Sequence, residues 1–432
     1  MSYQREIIYG GVRVRVYGGI DEIGGNCVVI EEGERKVVFD NGIRFSIIRK
    51  FYGGRIEPFG PFELRSVGAI PPLDAFEEAS AVYVSHFHLD HVGLLSMVPL
   101  QPVIKVPSVS ILEKTLARWY KASSSWLAYV PPDFSSKIGE VEPWKEDENK
   151  VVPVPVSHSC YPAYSFLYVG ESATIFYSGD LRFEPLSFIR FRLSEALERV
   201  GVDRVDVAIL EGTNFSEDYA SVTASTFRNY LSMLLKEYDL VSISIDPLDL
   251  ETFIAILDLS KIMEKNLVIG SSRLTWIIEE VGKLRPEVLD KIYFCDELEI
   301  SPTLSIRSIS LSHEVIKNPD NFLLIVEPVE ILSLLRKLKM WGELQSLAGS
   351  IVVLTDPEPR ETVKEVEEKV LKTWLKSFGM QIVRLRLSGH YLPHEFRSII
   401  GTLKPKELLP IHTEEADLMR KLFRRFSRES KE

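Results

Sequence analysis

The segment from Ser85 to His91 constrains this chain more than any other. It reads Ser-His-Phe-His-Leu-Asp-His and places four ligand-type side chains within six residues, directly after a short predicted strand that ends at Ser85. The whole chain has only eight histidines, and three of them lie here. Imidazole and carboxylate are ligands that zinc accepts in catalytic sites. The segment therefore predicts a metal-binding loop, against the plainer alternative of a chance cluster of surface histidines.

The spacing within this loop divides its ligands between two points. Alternate residues of an extended segment point the same way, so we expect His86 and His88 to face one metal ion. Asp90 and His91 are then expected to face a neighbouring ion. The loop therefore predicts two adjacent metal positions.

Two later strand ends offer further ligands. Val156-Ser157-His158 ends one predicted strand and supplies a third nitrogen for the first metal. Tyr177-Ser178-Gly179-Asp180 ends another and supplies a carboxylate that could bridge two ions. Each signal is weak alone, because a single histidine after a strand is more often a hydrogen-bonded structural residue. Behind the first cluster, the two complete a coordination set.

This order of motifs resembles the metallo-β-lactamase superfamily, which has His-x-His-x-Asp-His, then His, then Gly-Asp. The early segments 18–26 and 39–42 are similar to its opening strands. The resemblance implies that Asp40 supports the His-rich loop from behind the ligands without touching metal. An ordinary role for Asp40 in stabilising a turn is about as well supported by the sequence.

Three more segments resemble motifs A, B and C of the β-CASP subgroup, which processes nucleic acids. The stretch from 388 to 414 especially resembles archaeal and bacterial ribonuclease J proteins. This resemblance implies that His390 donates a proton to the leaving oxygen, that Glu211 holds the other ring nitrogen of His390, and that His412 completes the shell of the second metal. The three segments are Leu210-Glu211-Gly212-Thr213-Asn214, Ser388-Gly389-His390 and Pro410-Ile411-His412-Thr413-Glu414.

The resemblance implies a zinc-dependent ribonuclease with two Zn²⁺ ions per chain. A hydroxide held by both ions would attack the phosphodiester bonds of single-stranded RNA. The catalytic groups would be Asp90, His390 and Glu211. Weaker candidates for contact with the RNA strand are Ser388, Gly389, Arg182 and Arg386, and for the two arginines an ordinary surface role is at least as well supported.

The pattern of predicted elements changes after Asn214. Short strands with turns between them precede it, whereas strands and helices alternate from Leu240 onward, as is typical of a parallel sheet with covering helices. In the β-CASP subgroup such a domain is inserted within the metallo-β-lactamase fold. We therefore expect an α/β chain built as an αββα sandwich with an inserted β-CASP α/β domain. Its parts would be 1–214 (first part of the sandwich), 215–380 (insertion) and 381–432 (completion).

Composition limits the location and qualifies the expected partner. The sequence has no apolar run of eighteen residues, no signal-peptide pattern and three widely separated cysteines, which favours a cytoplasmic protein without a membrane partner. The net charge of −11 argues against a nucleic-acid binder. Bound metal ions, however, add local positive charge that a sequence count omits. Single-stranded RNA remains the expected partner, and a homodimer is a further hypothesis.

One departure from ribonuclease J bears on how RNA ends are recognised. Relatives carry Ser- and Gly-rich loops that hold the 5′ phosphate, whereas two strand ends here carry Asp246 and Glu327. Carboxylates at a phosphate pocket would repel the ligand. The sequence therefore predicts weaker dependence on a 5′ monophosphate.

Three alternatives to a ribonuclease stay open at this point. A hydrolase of small thioesters or lactams would need neither the insertion nor His412. A DNA nuclease of the Artemis type carries valine where this chain has His412. An inactive scaffold would have lost ligands, and this chain has lost none that we can identify.

Overall fold

The computed structural model describes residues 3–53, 56–115, 137–186, 192–216, 221–298, 306–340, 347–355 and 362–429. The chain divides into two compact units. Unit 1 comprises Met1–Ala220 and Gly389–Glu432, and unit 2 comprises Ser221–Ser388. Unit 2 is thus inserted in the sequence of unit 1. Among the described residues, no helix is both long enough and apolar enough to span a bilayer.

Unit 1 contains two sheets. The first has the strand order β1-β2-β3-β4-β5-β6-β7, and the second has the order β19-β11-β10-β9-β8. The strands of the first sheet are β1 (Arg5–Tyr9), β2 (Val12–Gly18), β3 (Cys27–Glu32), β4 (Arg35–Phe39), β5 (Ala81–Tyr83), β6 (Val103–Val106) and β7 (Ile138–Glu140). Those of the second are β8 (Val151–Val156), β9 (Ala163–Val169), β10 (Thr174–Tyr177), β11 (Val207–Glu211) and β19 (Glu407–Ile411).

The inner faces of these two sheets form one apolar core. Alternating residues of the strands point inward, so Val14 and Phe39 of the first sheet pack with Phe166 and Ile209 of the second. The outer face of the second sheet packs under helices in a separate cluster. The helices of unit 1 are α1 (Phe45–Phe51), α2 (Pro61–Val67), α3 (Leu89–Val92), α4 (Val109–Thr115), α5 (Leu193–Arg199), α11 (Phe396–Leu403) and α12 (Ala416–Glu429).

The direction of the strands determines where polar residues collect. β4 and β5 are parallel, and β10, β11 and β19 are parallel to one another. β8 has the same direction as β10, because each is antiparallel to β9 between them. The carboxyl ends of these strands carry Asp40, His86, His158, Asp180, Glu211 and His412.

Unit 2 is built on one parallel sheet with the order β15-β14-β13-β16-β12-β17-β18. Its strands are β12 (Val241–Ile243), β13 (Asn266–Ile269), β14 (Ile292–Cys295), β15 (Ser308–Ile309), β16 (Phe322–Ile325), β17 (Ile351–Leu354) and β18 (Gln381–Arg384). The central strands are buried along their whole length, as expected of a parallel sheet that is covered on both faces. Its helices are α6 (Ala224–Glu237), α7 (Leu250–Ile262), α8 (Thr275–Leu284), α9 (Pro328–Met340) and α10 (Thr362–Ser377).

The helices of unit 2 begin at side-chain caps that the sequence supplies. The hydroxyl of Thr223 accepts the amide hydrogen of Thr226 at the start of α6, and the Asp249 carboxylate accepts that of Thr252 at the start of α7. Such caps satisfy amide groups that the first helical turn leaves without intrahelical partners. Together with the strands between them, these helices form the alternation expected after Asn214.

The last strand of unit 2 differs from the sequence expectation. From the sequence, we expected the chain from residue 381 onward to belong to the completed sandwich. Instead β18 ends at Arg384 and pairs in parallel with β17 in the sheet of unit 2. Leu387 forms only an isolated bridge, with Val222. A strand's partner is set by contacts distant in sequence, and the local pattern of 381–387 does not specify it.

Candidate metal centre

Seven of the predicted ligand side chains come together in unit 1, in two groups. The first consists of His86, His88, His158 and Asp180, whose ligand atoms all lie within 4.8 Å of one another. Nε2 of His86 and Nε2 of His158 lie 3.1 and 3.2 Å from Nδ1 of His88. Oδ2 of Asp180 lies 3.7 Å from both Nε2 atoms. Three nitrogens and one oxygen thus converge on one point.

The second group consists of Asp90, His91 and His412. Nε2 of His412 lies 3.1 Å from Oδ2 of Asp90. Oδ2 of Asp180 lies 3.2 Å from Nε2 of His91 and 3.9 Å from Nε2 of His412. Asp180 therefore lies between the two groups.

The loop from Ser85 to His91, which supplies four of these ligands, is not extended throughout. His88 is extended and precedes α3, a helical turn that holds Asp90 and His91. The expectation that alternate residues point the same way therefore applies only as far as His88. Asp90 and His91 diverge from the first group because a helical turn rotates successive side chains by about 100°.

Hydrogen bonds behind the ligands determine which nitrogen each ring presents. Nδ1 of His158 donates to the carbonyl oxygen of Gly389 at 2.7 Å, and Nδ1 of His91 donates to Asp40 at 2.7 Å. Because a carbonyl or carboxylate only accepts, each ring keeps a hydrogen on Nδ1, and Nε2 is the atom that faces the site and can bind a metal when it carries no hydrogen.

The same reasoning applies to His86 and His412. The hydroxyl of Ser85 donates to Asp40 and lies 3.0 Å from Nδ1 of His86, so it accepts from that ring. The hydroxyl of Thr213 donates to Glu211 and lies 2.8 Å from Nδ1 of His412, so it accepts there too. Both rings therefore also present Nε2 to the site.

Asp40 occupies the position expected of a supporting carboxylate. It is completely buried. Its Oδ1 accepts the Ser85 amide at 2.7 Å, and its Oδ2 accepts the hydroxyls of Ser85 (2.8 Å) and Tyr177 (2.5 Å) besides Nδ1 of His91. These four hydrogen bonds hold the loop before its first ligand and orient His91.

His390 and Glu211 lie beside the two groups. Nδ1 of His390 is 3.1 Å from Oε1 of Glu211, and the imidazole is more exposed (12%) than that of His412 (3%). The amide and hydroxyl of Thr213 both donate to Oε2 of Glu211 at 2.9 Å. Glu211 is therefore fixed on one side by Thr213 and holds His390 on the other.

Burial makes the first group an unprotonated ligand set. Burial lowers the pKa of His86 and of His158 well below the usual range, and lowers that of His88 to about 4. These rings are neutral near pH 7, the form in which imidazole offers a lone pair to a cation. Three neutral rings whose nitrogens lie at hydrogen-bond distance are better suited to a cation bound between them than to hydrogen bonds with one another.

The second group requires positive charge. Burial opposes the charged forms, yet the carboxylates around His91 and His412 raise the pKa of both rings. Burial likewise opposes ionisation of Asp90, but its hydrogen bond with His412 and the nearby imidazolium charges lower its pKa to about 2. Among the described residues, none donates to the buried Oδ1 of Asp180. Buried carboxylates need compensating cations, so the donor set fits divalent metal.

The weaker candidates for substrate contact occupy different settings. Arg182 is buried, and its amide donates to the carbonyl of Ser157 at 2.7 Å. Ser388 is buried, and Arg386 is partly buried. Gly389 has a structural requirement: a Cβ atom there would lie 2.2 Å from Oγ of Ser159. Its carbonyl can thus approach His158 only because it has no side chain.

The carboxylates expected to repel a 5′ phosphate are engaged within unit 2. Glu327 lies 3.2 Å from Arg273 and accepts the hydroxyl of Ser271. Asp246 accepts the amide of Leu248 at 2.8 Å. The charge of Glu327 is balanced by Arg273, so the electrostatic reason for weaker dependence on a 5′ monophosphate is lost at that position.

Two positioning side chains carried no role in the sequence analysis. Thr213 lies inside the segment that resembles motif A, and Tyr177 lies three residues before Asp180. The Tyr177 hydroxyl donates to the distant Asp40, and the Thr213 hydroxyl connects the nearby Glu211 with the distant His412. Their nearness to motif residues was the available signal, but contacts between strands cannot be read from one sequence.

A known family model matches part of this chain. Residues 58–236 match the family model described as "Beta-lactamase superfamily domain". The α/β fold class expected from the motifs is thereby confirmed, and residues 58–236 carry a domain of the beta-lactamase superfamily.

Curated relatives and a solved structure extend the comparison. The chain is 23% identical to "Ribonuclease J" of Pyrococcus abyssi, covering 93% of this chain and 90% of the relative. It is 24% identical to "Ribonuclease J" of Mycobacterium tuberculosis, covering 93% and 69%. A crystal structure of a protein of unknown function from Enterococcus faecalis V583 has a TM-score of 0.69 at 18% identity and covers 94% of each chain. That last likeness concerns the fold alone.

Proposed function

We propose that this chain, which contains a metallo-β-lactamase domain and aligns over nine-tenths of its length with ribonuclease J proteins, is a metal-dependent ribonuclease. Its substrate is single-stranded RNA, whose phosphodiester bonds it hydrolyses. The observation that carries the proposal is the pair of ligand groups with Asp180 between them and the His390–Glu211 pair beside them. In the same proposal the sandwich corresponds to unit 1 and the β-CASP domain to unit 2, so that β18 belongs to the β-CASP domain.

Two zinc ions are the metals we propose. Zn–N bonds of about 2.0–2.1 Å in a tetrahedral site place ligand nitrogens about 3.3–3.4 Å apart. The nitrogen pairs of the first group, at 3.1 and 3.2 Å, are close to that spacing. His86, His88 and His158 would hold the first ion, and Asp90, His91 and His412 the second, with Asp180 between them. When bound, the two ions would polarise the phosphodiester and activate water.

The chain's own residues supply positioning and proton transfer. Glu211 accepts the Nδ1 hydrogen of His390, so a second proton on Nε2 makes the ring a cation that Glu211 stabilises. Nε2 of His390 would then donate that proton to the leaving oxygen. Thr213 keeps Glu211 in place for this step. Asp40 acts through His91 and Ser85 and holds the loop that carries the ligands.

The test uses end-labelled single-stranded RNA with a 5′ triphosphate, monophosphate or hydroxyl. The protein should cut all three in a metal-dependent reaction, and the product ladder will separate internal cleavage from digestion that starts at the 5′ end. Asp180→Asn should abolish cleavage, because it weakens both ligand groups. Asp258→Asn is the matched control, since Asp258 pairs with Arg285 in unit 2 and should leave cleavage unchanged. Metal-loaded protein that cuts none of the three RNAs would contradict the proposal.

A further inference from the structure

A large open groove lies in unit 1 apart from the two ligand groups. Its volume is about 1110 Å³. Its walls are β1 and β19, which are the end strands of the two sheets, together with α11 and α12. We call it the basic groove, after the five cationic residues that line it: Arg5, Lys404, Lys406, Arg420 and Arg424.

The cations of the basic groove are mostly uncompensated. Arg5, Lys404 and Arg424 are exposed and form no ion pair with any residue in the described part of the chain. Lys406 pairs with Asp206 at 2.8 Å, and Arg420 pairs with an exposed aspartate. One carboxylate, that of Glu407, also lines the groove. The whole chain carries a net charge of −11, which repels a polyanion, so the local excess of positive charge makes this groove the favourable place for one to bind.

The floor of the groove is apolar and partly aromatic. Ile7, Ile400 and Phe423 line it together with Tyr9. Gly401 faces open space, because a Cβ atom there would meet nothing within 4 Å. Cationic walls over an apolar, aromatic floor suit single-stranded nucleic acid, in which phosphates contact the cations and unpaired bases contact the floor.

One strand connects the basic groove with the metal centre. β19 begins at Glu407 in the groove and ends at Ile411, next to the ligand His412. Five residues of strand extend about 17 Å. A single-stranded RNA of several nucleotides is long enough to cover that distance.

We propose that the basic groove is a second RNA-binding site, which holds single-stranded RNA outside the metal centre. The inference rests on the proposed function for the identity of the polyanion. The groove raises affinity for RNA that is long enough to span both places. It adds nothing for RNA that fills only the metal centre.

The direct test measures the dissociation constant of a long labelled single-stranded RNA for the full chain. The groove pair Lys404→Glu with Arg424→Glu removes two phosphate contacts. At 0.15 M salt we expect the dissociation constant to rise by about 10-fold, and the slope of log affinity against log salt to fall by about 1.4. The matched control, Lys421→Glu with Arg425→Glu, makes the same charge change on exposed positions of α12 that do not line the groove, and should leave both values near wild type.

Gly401→Glu gives a second test that does not depend on removing a side chain. Glutamate is a better helix former than glycine, and its Cβ atom has open space, so the protein should fold. The new carboxylate should weaken binding of long RNA as the groove pair does. Binding of long RNA unchanged by both groove variants, or weakened equally by the control pair, would overturn the inference. So would a polyglutamate peptide that binds through the same residues more tightly than RNA, since this would indicate an acidic protein partner.

Cleavage of a short RNA separates this inference from the proposed function. Groove variants should cut the short RNA at the wild-type rate while binding the long RNA less well. If wild-type protein cuts no RNA but binds long RNA through the groove, the proposed function fails and the groove stands. If the short RNA is cut normally and groove variants bind long RNA like wild type, the groove fails alone.

Discussion

Replacing Asp40 with asparagine tests how the ligands are held. The carboxylate accepts one hydrogen bond on Oδ1, from the Ser85 amide, and three on Oδ2, from Ser85, Tyr177 and His91. Asparagine has one oxygen, so its amide group must face donors on one side. If the amide group takes the Oδ1 position, it faces the fixed Ser85 amide, and a buried donor is left without an acceptor.

The other orientation changes the tautomer of a ligand. If the amide group takes the Oδ2 position, His91 can accept only by moving its hydrogen from Nδ1 to Nε2. Nε2 is the atom that lies 3.2 Å from Asp180, so a hydrogen there blocks the second metal position. Loss of a supporting contact of this kind typically reduces metal affinity by about 10–100-fold. An unsatisfied buried donor should also lower the free energy of unfolding by about 1–3 kcal/mol.

The assay is competition for zinc between the protein and a chromophoric chelator, combined with denaturant unfolding. Asp147→Asn is a matched control, because Asp147 accepts the Tyr83 hydroxyl at 2.5 Å and two backbone amides outside the ligand groups. The control should lose stability but keep wild-type zinc affinity, whereas Asp40→Asn should lose both. Wild-type zinc affinity in Asp40→Asn would refute the reasoning about the tautomer.

The remaining predictions concern the proton donor, one glycine and the substrate. His390→Ala should keep both metals and lose turnover by about 10²–10⁴-fold. His412→Ala should bind the second metal weakly and regain part of its activity with excess zinc. Zinc content and cleavage rate are measured for each variant, and the reverse pattern would exchange the roles of the two histidines. Gly389→Ala should weaken zinc binding, because the new methyl group would lie 2.2 Å from Ser159 and push the carbonyl away from His158; unchanged affinity by chelator competition would count against that contact. Single-stranded RNA should be cut faster than DNA of the same sequence, and equal or faster cutting of DNA in parallel time courses would favour a DNA nuclease.

Local motifs after strands allowed most of the candidate site to be assigned before the structure. The histidines and aspartates lie in short segments that follow strands ending at one edge, so the local pattern around His86 and Asp180 is enough to predict them as metal ligands. The fold class was predictable for the same reason, since motif order and the change of pattern after Asn214 are both visible in sequence. The ligand roles stay a prediction until metal binding is measured.

Other features depend on contacts that one sequence does not encode in any local pattern. β18 belongs to the sheet of unit 2 because pairing with β17 provides partners for its backbone hydrogen bonds. The local sequence of 381–384 does not indicate which strand that partner is. The balance of Glu327 by Arg273 requires the ends of two strands to meet. Thr213 gained its role because β11 and β19 are adjacent and parallel, with Glu211 opposite Ile411.

The most direct test of the central claim is zinc titration of metal-free protein while cleavage of single-stranded RNA is followed. The rate should be near zero without metal and should rise until about two zinc ions are bound per chain, as the two ligand groups require. Full activity without metal, or saturation at one ion or fewer with His86 and Asp90 intact, would contradict a two-zinc ribonuclease.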